Sequence, residues 1–131
     1  MKTLIVEDEL TSRILMQHLL VRYGECHIAV DGEEAVEAFR MALADAAPYD
    51  LICMDMKMPK MEGVEAVRQI RALETQDGVH STFGAKILMV TTVEDPRDVV
   101  ASFRALCDAY LVKPIKAASL SEEIRRMRLI A

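Results

Sequence analysis

Cysteine is scarce in this chain. Cys26, Cys53 and Cys107 are odd in number and far apart, and no CxxC pair occurs. A disulfide scaffold and a cysteine zinc site are excluded, which leaves buried or idle thiols in a reducing compartment. His18, His27 and His80 are scattered without ligand spacing, so a histidine-based metal site is not expected either. No apolar run approaches the roughly 20 residues that cross a bilayer. Met1-Lys2-Thr3 runs straight into a strand pattern without signal-peptide features, which points to the cytoplasm and away from membrane insertion. Excess positive charge is missing as well. The net charge is −5, whereas a duplex-binding surface is normally basic, so direct nucleic-acid binding is not expected. No linker, repeat or low-complexity tract divides the 131 residues, a length that suits one domain.

What the chain does have is apolar content, 52%, enough to fold without a partner. Four short stretches each end an apolar run with one reactive side chain. They are Leu4-Ile5-Val6-Glu7-Asp8, Leu51-Ile52-Cys53-Met54-Asp55, Ile87-Leu88-Met89-Val90-Thr91 and Tyr110-Leu111-Val112-Lys113-Pro114. Uniform runs this short suggest strands covered on both faces, as in a parallel sheet. Parallel strands finish at one edge, so carboxylates, a hydroxyl and an ammonium would gather there.

Strand and helix patterns alternate from end to end. Strands are expected at 2–6, 26–30, 51–54, 86–90 and 110–112. Helices are expected at 10–23, with Gly24 as a stop, at 33–43, at 64–74, from Pro96 to about 106, and at 119–130. Val99, Phe103 and Leu106 share one helical face, and Leu120, Ile124 and Met127 share another. Five βα units in this order predict an α/β fold, a three-layer α/β/α sandwich around a parallel sheet. Ligand sites in such sheets lie at the carboxyl ends of the strands. The loop 75–85 is polar and carries no assigned role.

Val6-Glu7-Asp8, Met54-Asp55-Met56-Lys57-Met58-Pro59, Gly63, Thr91, Tyr110 and Lys113-Pro114 together resemble the receiver domain of bacterial two-component response regulators. The resemblance covers essentially the whole chain. It implies a flavodoxin-like, doubly wound five-stranded sheet of order 2-1-3-4-5. It also implies a receiver domain over 1–131, and because the last helix pattern runs to within a few residues of Ala131, no output domain is expected. The implied function is that of a stand-alone receiver, a phosphoprotein of two-component or phosphorelay signal transduction, rather than an enzyme.

Chemistry argues alongside. Three carboxylates crowded at one strand edge repel one another, and a hard divalent cation relieves that cost. Mg²⁺ (or Mn²⁺) would be held by Asp8, by Asp55 and by Glu7 directly or through water. The resemblance adds the backbone carbonyl of Lys57. Asp55 is the expected phosphoacceptor, since a carboxylate can form a mixed anhydride with a phosphoryl group. Lys113 would neutralise a phosphoryl oxygen, and Thr91 or a nearby N–H would bind another. Met56 and Thr92 are the acceptor site's neighbours. The resemblance further implies that Thr91 and Tyr110 switch conformation, that Lys113-Pro114 is cis, and that the 96–130 face reports the change.

Plainer roles exist for each residue. Asp55 alone is an ordinary polar strand end, Thr91 a β-branched strand residue with Thr92 as its rival, and Tyr110 core packing. Met54, Met56, Met58 and Met61 serve as adaptable apolar filler. Two positions depart from the family pattern. Leu106 stands where many relatives have glycine, so the helix end there is strained or reshaped. Thr92 and Lys57 crowd the acceptor, which predicts slow self-dephosphorylation. Partners would be a sensor histidine kinase or histidine phosphotransfer protein and a downstream protein effector, with the chain a monomer or weak dimer. The alternatives are a phosphorelay intermediate or a docking module that never takes phosphate. A flavodoxin-like cofactor binder is disfavoured because Glu7-Asp8-Glu9 repels phosphate, and a haloacid-dehalogenase-type phosphatase because Asp55-Met56-Lys57 is not Asp-x-Asp.

Overall fold

A computed structural model describes residues 1–79, 83–92 and 95–131. His80 and the middle of the 75–85 loop lie outside the described residues. Five strands, β1 (Thr3–Val6), β2 (Cys26–Ala29), β3 (Leu51–Asp55), β4 (Lys86–Thr91) and β5 (Ala109–Val112), form one parallel sheet of order β2-β1-β3-β4-β5. Five helices connect or follow them: α1 (Leu10–Leu20), α2 (Gly32–Ala44), α3 (Gly63–Gln76), α4 (Pro96–Arg104) and α5 (Ala117–Arg126). A 3₁₀ turn, Val21–Tyr23, extends α1 to Gly24. Element order and type are those read from the sequence, and the sheet order is the one the family resemblance implied; individual ends move by up to four residues. Among the described residues, no helix is long and apolar enough to cross a membrane.

The three central strands, β1, β3 and β4, are largely apolar and almost wholly buried because both faces are covered, while the edge strands β2 and β5 are only partly buried. Leu4, Val6, Ile52, Met54, Ile87 and Met89 pack on one side with Ala35, Val36 and Phe39 of α2 and Val67 and Ile70 of α3. Ile5, Leu51, Cys53, Leu88 and Val90 pack on the other with Met16 and Leu20 of α1 and Leu120, Ile124 and Met127 beside α5. Met56 and Met58 join the first cluster as buried filler. Burial pushes the Cys53 thiol well above its ordinary range and the Cys107 thiol to about 12, so neither is a ready thiolate.

α2 starts where Asp31 accepts from the Glu34 N–H (2.8 Å) while Glu34 reaches back to the Val30 N–H (3.2 Å). That reciprocal cap satisfies donors that a helix start leaves open. α4 has Pro96 in its first turn and Asp95 as cap. Its buried residue is Ser102, whereas Phe103 and Leu106 are 47% and 50% exposed. The stripe Val99, Phe103, Leu106 is therefore not a core face; small residues, Ser102 and Ala105, make the contact.

Four helices close in the same way. After the last turn comes one residue with positive φ, and two backbone N–H groups fold back onto the final carbonyls. The residue is Ala46 (φ 55) after α2, Gly78 (φ 79) after α3, Leu106 (φ 73) after α4 and Arg128 (φ 63) after α5. At α4, Leu106 N–H donates to Phe103 O (3.0 Å) and Cys107 N–H to Ser102 O (3.2 Å), the Schellman arrangement. Three of these four positions carry a side chain where glycine is favoured, each costing about 1 kcal/mol. Leu106→Gly and Ala46→Gly are each expected to stabilise the protein by about 1 kcal/mol, read as a higher urea midpoint at unchanged slope; a lower midpoint would contradict the strain.

Candidate functional site

The parallel register brings the ends of β1, β3, β4 and β5 to one edge of the sheet. Val6 pairs with Met54, Asp55 with Val90, and Thr91 with Val112. Glu7, Asp55, Thr91 and Lys113 therefore emerge side by side. The strand ends are held there by backbone bonds: Glu7 N–H to Ala29 O (3.0 Å), Met56 N–H to Val90 O (2.9 Å) and Lys113 N–H to Thr91 O (2.6 Å). Gly63 opens α3 against the acceptor strand, where an added Cβ would lie 2.3 Å from Asp55 O. Only glycine permits that approach.

Carboxylate oxygens of Glu7, Asp8 and Asp55 lie within 4.8 Å of one another. Glu7 and Asp55 are buried, while Asp8 is exposed. The Lys113 ammonium stands 2.5 Å from Glu7 Oε1 and 3.7 Å from Asp55 Oδ1. The Lys113–Pro114 peptide is cis. Glu7 is braced further by the Glu9 N–H on its Oε2 (3.2 Å) and by Arg13, whose guanidinium donates to its carbonyl (3.2 Å). Those supports from the start of α1 escaped the sequence reading, because nothing in Glu9 or Arg13 separates them from solvated charges.

Three carboxylates share one ammonium, and the imbalance shifts the protonation equilibria of the groups involved. Burial raises the Asp55 carboxyl to about 8, with further push from its hydrogen bond to Glu7, the Glu7 charge and Asp8; Lys113 opposes them. Burial alone would lower Lys113, but its bond to Glu7 and the charges of Asp55, Glu7 and Glu9 outweigh that and raise it.

The other singled-out residues surround this cluster. Thr91 is buried at the strand edge. Tyr110, opposite Met89 in β4, is half-buried against the α2–α3 core cluster. Lys57 is exposed, its ammonium 3.9 Å from Glu62, and Met56 is buried. Thr92 borders an apolar groove of about 390 Å³ between α1 and the β5–α5 connection, together with Leu15, Lys113 and Pro114. Leu10, Ile14 and Leu15 leave an apolar strip exposed on α1.

Residues 3–125 match the profile of the response regulator receiver domain. The chain belongs to that family. Receiver domains are the phosphoryl acceptors of two-component systems. The two-component response regulator ORR41 of Oryza sativa subsp. japonica is 36% identical over 131 residues, covering 98% of this chain and 94% of that protein. A probable histidine kinase 2 of Oryza sativa subsp. indica is 33% identical over 134 residues, covering 95% of this chain, but the chain spans only 12% of that kinase's length. Among solved structures, the receiver domain of the Arabidopsis thaliana histidine kinase CKI1, complexed with Mg²⁺ and BeF₃⁻, superposes with a TM-score of 0.87 at 28% identity, covering 98% of this chain and 90% of that one.

The raised Asp55 carboxyl gives a signed prediction. An unfolded Asp titrates near 4, and the folded one near 8. Between those values the folded receiver holds a proton that the unfolded chain has lost, so this group's contribution to stability falls as pH rises. Asp55→Asn removes the penalty. In EDTA the variant is expected to be more stable than wild type by at least about 1 kcal/mol at pH 8, and the gap is expected to shrink toward pH 5. Urea melts at both pH values measure it; a gap that widens toward acid would contradict the assignment.

Proposed function

We propose that this receiver accepts a phosphoryl group on Asp55 in a Mg²⁺-dependent reaction. The convergence of Glu7, Asp8 and Asp55 with Lys113 at one sheet edge carries the reading. The donor set suits the cation: two buried carboxylates and one exposed offer oxygen ligands while leaving room for retained water. Asp8 and Asp55 would be ligands, with Glu7 direct or through water and Lys57 through its backbone carbonyl. Bound there, Mg²⁺ (or Mn²⁺) supplies charge neutralisation and Lewis acidity at the phosphoryl oxygens.

The chain's own residues do the rest. Asp55 enters as the carboxylate, and one of its oxygens forms the bond to phosphorus while the donor's bond to phosphorus breaks and its electron pair leaves with the donor. Lys113, held between Glu7 and Asp55, turns its ammonium to a phosphoryl oxygen as a compact charge. The Thr91 hydroxyl, or a neighbouring N–H, donates to another oxygen. Thr92 and Lys57 flank the acceptor and slow hydrolysis of the anhydride by water. Movement of Thr91 toward the phosphoryl group makes room for Tyr110, and the face of α4, β5 and α5 changes shape. A difference of a few kcal/mol between the two states suffices for a strong population shift.

The phosphoryl source is a histidine on a sensor kinase or phosphotransfer protein, and the output passes to a partner protein in the cytoplasm. Kinship with both a response regulator and histidine kinases supports a place in a phosphorelay.

Acetyl phosphate with Mg²⁺ is expected to add one phosphoryl mass to the wild type and none to Asp55→Asn, read by mass spectrometry. Because Asp55 would have to lose its proton to act as a ligand, Mg²⁺ affinity is expected to rise between pH 6 and 8 by up to about tenfold per unit. An equal adduct on both proteins would overturn the acceptor assignment.

A further inference from the structure

Arg71 lies at the sheet edge opposite the acceptor. It is 5% exposed, on the α3 face that packs inward. Its Nε donates to Leu106 O (3.0 Å), Nη1 to Glu74 Oε1 (2.6 Å) and Ala85 O (2.8 Å), and Nη2 to Asp108 Oδ2 (2.9 Å). The two carboxylates each take a backbone donor too: Glu74 Oε2 from Ala85 N–H (2.7 Å) and Asp108 Oδ2 from Ile87 N–H (2.8 Å). Asp108 N–H donates to Ile87 O (2.8 Å). Asp108 thus fixes β5 against β4, and Arg71 fixes Asp108 and the Leu106 carbonyl to α3.

The grip falls on one end of α4. Ser102 is the buried residue of that helix, and Val100 and Phe103 are about half exposed, so packing holds it lightly. Among the described residues, the polar contacts at its start are local, between Asp95 and Arg97. At its far end the positive-φ residue Leu106 is tied by Arg71 to a charge cluster in which Arg71 and Glu74 are buried and Asp108 reaches solvent. The planar guanidinium reaches four acceptors at once, a geometry that a lysine ammonium cannot reproduce. From Asp108 to Lys113 runs a strand of about 16 Å, so the clamp acts at a distance from the acceptor.

We propose that Arg71 is a positioning residue that pins the α4–β5 turn to α3, making it a fixed pivot about which α4 responds to charge arriving at Asp55. The response rests on the phosphoacceptor reading above; the clamp does not. A disturbance at the acceptor reaches the start of α4, next to the β4 end. The other end is held, so the helix tilts rather than translates.

Amide hydrogen exchange on the full chain tests this, with and without Mg²⁺ and beryllofluoride. In the wild type, Thr92 and residues 97–101 are expected to change at least threefold on addition, while 104–108 stay within twofold. In Arg71→Lys without ligand, 104–108 are expected to lose at least tenfold protection, with α2 and β1 unchanged; with ligand, 104–108 should then respond as 97–101 do. A purely structural Arg71 would lower protection without changing which residues answer the ligand. Response of 104–108 in the wild type would overturn the pivot, and unchanged protection there in Arg71→Lys would overturn the clamp. If beryllofluoride leaves the amides of 54–57 and Lys113 unmoved, the acceptor reading fails instead, while the ligand-free comparison still judges the clamp. Should Arg71→Lys not fold, Asp108→Asn removes one arm of the cluster. It is then expected to raise exchange at 104–108 at least threefold, and no change would count against the proposal.

Discussion

Two buried carboxylates, Glu7 and Asp55, end neighbouring strands, and a single ammonium serves both. Crowded like charges in a partly dry site are costly. Here the cost is met by one strong ion pair, Lys113 with Glu7, and by a carboxyl on Asp55 that holds its proton to about pH 8. The site is therefore poised: any added cation or any group that takes up the Lys113 charge changes its balance. The parallel sheet exists, from the standpoint of function, to hold that imbalance still. Backbone bonds fix the strand ends, Gly63 lets α3 begin against Asp55, and apolar layers on both faces keep the sheet from yielding.

The opposite edge holds the same kinds of residue in the contrary condition. Arg71, Glu74 and Asp108 also crowd two carboxylates around one cation, yet each of the three side chains meets at least two partners, backbone groups of the loop and strand among them. Among the described residues, no buried side-chain nitrogen or oxygen lacks a hydrogen bond. A guanidinium spreads its charge over a planar fork and saturates the cluster, whereas the lysine at the other edge is a point charge with three acidic neighbours. One cluster is closed and stiff, the other open and reactive. The difference lies in the cation, a forked guanidinium against a point charge, and in two carboxylates against three.

Much of the fold was legible. Continuous apolar runs of three or four residues read as doubly covered strands; each is a strand, and those of β1, β3 and β4 are buried on both faces while that of the edge strand β5 is partly exposed. The acidic pair after β1, Asp55 after β3 and Lys113 after β5 were legible as a cluster because strand ends in a parallel sheet must share an edge. Other features were hidden. The stripe Val99, Phe103, Leu106 reads as a core face, yet Ser102 and Ala105 make the contact, since periodicity tells which face is apolar and not which face finds a neighbour. The helix ends at Ala46, Leu106 and Arg128 lack the glycine that usually marks them. Arg71 and Glu74, spaced i, i+3, look like any solvated helix pair; only contacts with residues far along the chain, Ala85, Leu106 and Asp108, show them to be buried and partnered.

By itself the sequence determined the alternation of strand and helix, the two-sided core and the chemical types waiting at each strand end, because these follow from local periodicity and residue chemistry. The tertiary structure decided the distances. Whether Lys113 pairs first with Glu7 or Asp55, which charges are saturated and which remain strained, and which helix is held at one end are matters of burial and of contacts between residues far apart in the chain. Burial and long-range contact set the energy of a charge, and neither is a property of a position in a sequence.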